Sequence, residues 1–173
     1  MTTTGSAPTD SYVPIAYDGQ NYKTSAGNLL ESNEISFRAD CPAGQNIPTA
    51  TTTQVAFNNE VFDVGGKFDT STYRFTPGVA GRYLLTATVL LRDIGHSSGP
   101  IGAVYIVKNA VVIAALKDRV YTSGNDANLT VTVITEANDT DYFYVAVYQN
   151  FPNASTKPLS GTDYETWFAG CKI

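Results

Sequence analysis

A chain of 173 residues is long enough for one well-buried domain and short for two. With 43% hydrophobic and 16% charged residues it is globular rather than disordered. Sixteen acids stand against eleven Lys and Arg, for a formal charge of −5, and no basic cluster occurs. That argues against nucleic acid as a partner, since phosphate binding needs several cations on one face. From Met1 onward the chain shows neither the basic segment nor the apolar core of a signal peptide, and no apolar run approaches the roughly 20 residues of a membrane span. A soluble product made in a cytosol, with no membrane insertion, is expected.

Residues 1–11 are polar and read as a flexible tail. In Tyr12 to Leu30, the alternation Val13/Ile15/Tyr17, the turn signal Asp18-Gly19 and a short run Tyr22–Thr24 read as a small hairpin. Val13, Ile15, Tyr17, Tyr22, Leu29 and Leu30 form an apolar set too large to leave in water and too small for its own core. They are expected to dock on a partner. Residues 1–34 are thus read as an anchoring arm and 35–173 as a head. In the head, strands are expected near Ile35–Ala39, Thr53–Phe57, Tyr73–Thr76, Arg82–Leu91, Ala103–Val107, Val111–Leu116, Leu129–Thr135, Tyr142–Tyr148 and Thr166–Lys172. Turns are expected at Gly65-Gly66, Pro77-Gly78, Gly95–Gly102, Lys108-Asn109, Ser123–Asn128, Asn138-Asp139 and Asn150–Asp163. The only helical candidate, Ala114–Val120, is short and flanked by strand formers. Many short strands between turn signals predict an all-β sandwich or jelly roll.

One stretch is more specific. In Phe68 to Leu85, FDTSTYRFTPGVAGRYLL, a Pro77-Gly78 turn and Gly81 separate two runs of strand formers. It resembles the centre of the complement C1q globular head, a trimer-forming jelly roll of the tumour-necrosis-factor type. The likeness extends through Ser36-Phe37-Arg38-Ala39, Phe57-Asn58, Lys108-Asn109, Leu129–Val133 with Asn138-Asp139, and Phe168-Ala169-Gly170. Ala110 stands where that family has Gly in its Lys-Asn-Gly hairpin. Tyr12 to Leu30 in turn resembles an arm of bacteriophage fibre and tail-tip proteins, an extended strand followed by Asp-Gly-x-Asn-Tyr-Lys. The C1q likeness implies a C1q/tumour necrosis factor-like jelly-roll sandwich preceded by an extended N-terminal arm. It also implies that the first and last strands of the head are neighbours, so that Cys41 and Cys171 are close in space. They are expected as free thiols, because two cysteines without metal-ligand spacing in a reducing compartment make no disulfide scaffold.

The inventory for chemistry is thin. His96, the one histidine, sits in a loop by composition, and the carboxylates are scattered, so no catalytic residue, no metal site and no cofactor is expected. Asp118, Asp126, Asp139 and Asp141 are the oxygen ligands a calcium ion could use, but none forms a calcium-loop series. Asn128, Asn138 and Asn153 open formal glycosylation sequons that have no export signal to make them meaningful. More telling is Tyr142 to Tyr148, apolar at both phases of the two-residue period. Phe143, Val145 and Val147 would fill the core, leaving Tyr142, Tyr144 and Tyr148 outward as a trimer interface. Together the two resemblances imply a bacteriophage virion structural protein, assembled in the host cytoplasm. The favoured form is a homotrimeric capsid decoration (cement) protein anchored to the major capsid protein or another virion protein through its arm. The alternative is a receptor-binding head-fibre or tail-fibre tip that adheres to host glycan or protein.

Overall fold

Backbone pairing turns the alternating pattern into two separate units. The computed structural model describes residues 12–17, 20–25, 34–92, 101–119, 126–151 and 156–173, and its contacts divide the chain into Met1–Glu34 and Ile35–Ile173. In the first unit, β1 (Tyr12–Tyr17) and β2 (Gln20–Ser25) form an antiparallel hairpin. Ile15 pairs with Tyr22 across the strands, and Tyr17 with Gln20. Leu29 and Leu30 lie outside the described residues.

The second unit holds β3 (Ser36–Asp40), β4 (Gln45–Pro48), β5 (Thr53–Gln54), β6 (Asn59–Val64), β7 (Phe68–Asp69), β8 (Arg74–Phe75), β9 (Gly81–Leu91), β10 (Ile101–Lys108), β11 (Val111–Arg119), β12 (Ala127–Ala137), β13 (Phe143–Gln149), β14 (Thr156–Leu159) and β15 (Trp167–Lys172). They make two antiparallel sheets. The first runs β11-β10-β13-β8-β7, with β5 also on β13. The second runs β4-β14-β9-β15-β3-β6, with β12 along the free side of β9. Residues of alternate parity from both sheets meet in one core, among them Phe37, Phe75, Tyr83, Leu85, Val104, Ile106, Phe143, Val145, Val147 and Phe168.

All nine expected head strands occur, but four were not expected: β4, β6, β7 and β14. β14 falls within the stretch read as a turn from Asn150 to Asp163, where Pro158 argues against a strand. It survives because β14 meets β9 only at Leu159↔Leu91 while pairing with β4 along its length. The expected proximity of Cys41 and Cys171 does not occur either. β3 and β15 are neighbours as expected, but they run antiparallel, with Cys171 opposite Ser36 and Trp167 opposite Asp40. The two thiols thus sit at opposite ends of the pair, Cys41 buried and Cys171 half-buried, and both are free.

The register also gives the head two distinct ends. One end, here the base, carries the start of β9 at Gly81 and the finish of β12 at Ala137 and of β15 at Lys172, with Ile35 accepting from the Lys172 amide at 2.9 Å. The far end gathers Leu91, Ile101, Arg119, Ala127 and Gln149. The connections after β9, β11 and β13 therefore all leave from the end opposite to the one where the head begins.

Within the diagnostic stretch, Asp69 organises the turn between β7 and β8. Its carboxylate accepts from the Ser71 amide (2.8 Å) and hydroxyl (2.6 Å) and from the Thr72 hydroxyl (2.8 Å). Tyr83 then spans the Pro77–Gly81 corner by donating to the Val79 carbonyl at 2.8 Å. Hydrogen bonds, those from Ser71 first, hold the Asp69 carboxyl down from 3.8 to about 2. Its folded value lies below its unfolded one, so the stabilisation is complete above pH 3.8 and is lost as pH falls toward about 2. Asp69→Asn should therefore flatten the dependence of unfolding free energy on pH over that interval. Urea titrations at several pH values would show it, and parallel curves for the two proteins would contradict the assignment.

Candidate functional site

Two outward sheet faces are the candidate surfaces, and they differ in chemistry. On the first sheet, Tyr144 stands opposite Val107, Ala146 opposite Tyr105 and Tyr148 opposite Ala103. Large rings thus alternate with small residues across the strands. Ala103, Tyr105, Val107 and Ala146 are buried as a second cluster, with Tyr144 and Tyr148 packed partly buried against it. Tyr142 and Tyr144 stack at 6.4 Å, and the Arg74 guanidinium lies 4.3 Å from the Tyr142 ring and 6.0 Å from that of Tyr144. The three sequence-selected tyrosines therefore share one outward face, as the two-residue period requires, while Phe143, Val145 and Val147 are fully buried inside.

A polar cluster at the base aims this strand. Asp141, nearly buried, accepts from Lys108 Nζ (2.9 Å), Asn109 Nδ2 (2.6 Å) and the Asn138 amide (2.8 Å). Lys108 and these hydrogen bonds keep its carboxyl below the usual range. Asn109 Oδ1 accepts the Tyr142 amide at 3.0 Å, so one side chain ties the β10–β11 turn to the start of the tyrosine strand. In that turn Asn109 (φ 48°) and Ala110 (φ 66°) are both left-handed, the geometry of a two-residue hairpin that favours glycine. Ala110 adopts it against the strain that a Cβ brings. Ala110→Gly should therefore stabilise the protein by about 1 kcal/mol, read as a raised denaturation midpoint with unchanged slope. A lowered midpoint would mean that the methyl group is making contacts of greater worth.

The outer face of the second sheet carries an apolar row near its base, just above the exposed pair Arg82 and Glu136. Val64, Ser36, Cys171, Leu84 and Ile134 form one row across five strands, and Phe62, Arg38, Ala169, Thr86 and Thr132 the next. A shallow hollow of about 230 Å³ opens between Ser36, Phe62, Leu84, Thr86, Ala169 and Cys171. Ile134 is 62% exposed, Phe62 45% and Val64 44%, far more than a core-forming residue should leave in water. Higher on the face the surface is closed by polar pairing. Thr86 and Thr88 exchange hydroxyl bonds with Thr132 (2.9 Å) and Thr130 (3.0 Å). Arg38 bonds Asp40 at 3.3 Å and stacks 5.3 Å from the Trp167 ring, and burial there pushes the Asp40 carboxyl up. Sequence reasoning missed this face because Phe62 and Val64 lie on the unexpected β6. Ile134, Leu84 and Cys171 also come together only through strand register.

No convergent chemistry assembles from the other candidates. Asp118 and Asp126 lie toward the far end of the head and Asp139 and Asp141 at the base, so the four carboxylates considered for calcium do not meet. Among the described residues no group of three or more His, Cys, Asp or Glu is arranged to hold a metal ion. His96 lies outside the described residues. At the far end Glu165 accepts from Arg92 Nη2 (2.8 Å) and from the Ser160 hydroxyl, which together keep its carboxyl low and pin the segment leading into β15.

No protein-family profile and no curated relative matches the sequence. Solved structures do. Murine APRIL at pH 5.0 superposes with a TM-score of 0.62 at 14% identity, over 82% of this chain and 100% of that one. The globular domain of zebrafish complement 1qA gives 0.55 at 14% identity, over 82% and 97%. Eiger TNF from S. frugiperda gives 0.57 at 10% identity, over 82% and 93%. With its two antiparallel sheets and these superpositions, the head of this protein has the jelly-roll fold of the C1q and tumour-necrosis-factor type.

Proposed function

We propose that the protein is a homotrimeric virion structural component of a bacteriophage, a capsid decoration protein anchored through residues 1–34. The observation that carries this reading is the division of the chain into a short unit, whose sequence resembles phage fibre arms, and a jelly-roll head. The head begins at one end, and strands β9, β11 and β13 finish at the other, which suits a module held at one end. A receptor-binding fibre tip is the second reading, favoured by the same resemblance of the first unit to phage fibre and tail-tip arms. Truncation tests the arm. Residues 35–173 should fold and keep their oligomeric mass yet no longer attach to particles. Full occupancy of particles by the truncated protein would move attachment to the head.

A trimer would bury one of the two outward faces in every copy. We assign the subunit contact to the apolar base of the second sheet rather than to Tyr142, Tyr144 and Tyr148. The tyrosines are half-buried within their own subunit, Tyr144 and Tyr148 against the second cluster and Tyr142 beside Arg74, whereas Phe62 (45%), Val64 (44%) and Ile134 (62%) stand exposed. Full burial of such a side chain is worth roughly 1.5–3 kcal/mol, so covering the exposed half of each contributes about 1 kcal/mol, and cyclic closure buries the same patch in every copy. Light scattering should give three times the 18.6 kDa chain mass. Ile134→Asp should yield monomers in which Cys171 reacts faster with a thiol reagent, while Tyr144→Ser should stay trimeric. The opposite pair of results would return the contact to the tyrosine face.

A further inference from the structure

The hollow on the second sheet lies within the apolar row and has room for a side chain. Ser36, Phe62, Leu84, Thr86, Ala169 and Cys171 wall it, and its volume of about 230 Å³ is several times that of a water molecule. Three of these residues, Ser36, Cys171 and Leu84, belong to the row that runs from Val64 to Ile134. At its β12 end the same row carries a projection, since Ile134 is 62% exposed. β12 is an edge strand whose register is with β9 alone among the described strands. Ile134 cannot fill the hollow of its own head. Two strand spacings, roughly 10 Å, part it from Cys171, and Leu84 stands between them.

We propose that Ile134 of one copy fills the hollow of the next copy around the threefold, so that each hollow is completed by a neighbour. This rests on the trimer reading above and gives its contact a direction. A threefold contact is heterologous: it joins two different patches, a projection on one copy and a recess on the next. Heads held by their bases share one direction, so the axis runs along the strands. Rotation about such an axis keeps every residue at its own height. The plug must therefore be apolar, exposed and level with the row from Val64 to Ile134. Val111, Val112 and Leu116 belong to the other sheet, and Phe62 and Val64 stand at or beside the hollow itself. Ile134 alone of the exposed aliphatic residues on this face lies away from the hollow and level with it. Its neighbours on the same face, Thr132 and Glu136, are polar, so the plug is a single side chain. In the closed ring it would rest against the Cys171 thiol of the next copy.

The full-length Ile134→Cys variant puts this to the test. The chain has two cysteines of its own, and Cys41 is buried at the other end of the β3–β15 pair from Cys171. Within one head, positions 134 and 171 are farther apart than the roughly 7 Å across which a disulfide closes. Oxidation with copper phenanthroline should therefore link neighbouring copies, giving two-chain and three-chain species on a non-reducing denaturing gel that revert on reduction. Adding Cys171→Ser should abolish them. Thr130→Cys, four residues along the same face, should give about tenfold less. Light scattering on the wild type separates the two levels of the idea. A monomeric wild type would remove the trimer reading and this inference together. A trimer whose Ile134→Cys chains stay single, or cross-link equally well without Cys171, would overturn the inference alone and leave the hollow to another occupant. If Ile134→Cys loosens the ring, iodoacetamide should modify its Cys171 about tenfold faster than in the wild type, with Cys171→Ser as the blank. Equal rates would overturn the inference.

Discussion

The head depends on one ring, Phe37. It stacks on Phe75 at 4.4 Å and on Phe68 at 5.0 Å, and meets the edge of Phe168 at 4.9 Å. These contacts join strands of both sheets, so the ring acts as the bolt through the sandwich. The ring needs room that only glycine leaves. Gly170 pairs with Phe37 across the strands, and a Cβ there would stand 2.9 Å from the ring and 2.5 Å from Leu85. The Phe168-Ala169-Gly170 sequence is thus a packing requirement: one residue fills the core, the next faces outward, and the third makes space.

That dependence explains why so much of the fold was legible. Core strands such as β9 and β13 carry their pattern in the residues themselves, because alternate positions must be large and apolar to meet Phe37 and its neighbours. The strands that escaped notice are those that do not fill the core by alternation. β6 leaves Val61, Phe62 and Val64 exposed at a sheet edge, and β14 contains Pro158. The surfaces were less legible for a related reason. The two-residue period correctly separates Tyr144 from Val145, but it cannot say which outward face is left uncovered. That is decided by neighbours brought in by pairing, such as Ile134 opposite Leu84. The cysteines make the same point, since strand adjacency was readable and strand direction was misjudged.

The two outward faces of the head differ in chemistry. The row from Val64 to Ile134 on the second sheet carries no charge, which suits burial against an identical surface, and the Arg82–Glu136 pair bounds it toward the base. The first sheet interleaves rings with small residues, and its ring-stacked guanidinium, Arg74, has Asp69 opposite it on the neighbouring strand. The threonine pairs between β9 and β12 mark the limit of the apolar area, because hydroxyls already bonded to each other need little from a neighbour.

The short bond from the Lys172 amide to the Ile35 carbonyl has a practical meaning. The first and last residues of the jelly roll are adjacent, so the head forms a loop that a short linker could seal. New chain ends could then be opened at the far side without breaking a strand pair. Conversely, any label fused after Ile173 will emerge beside the start of the head and report on its base.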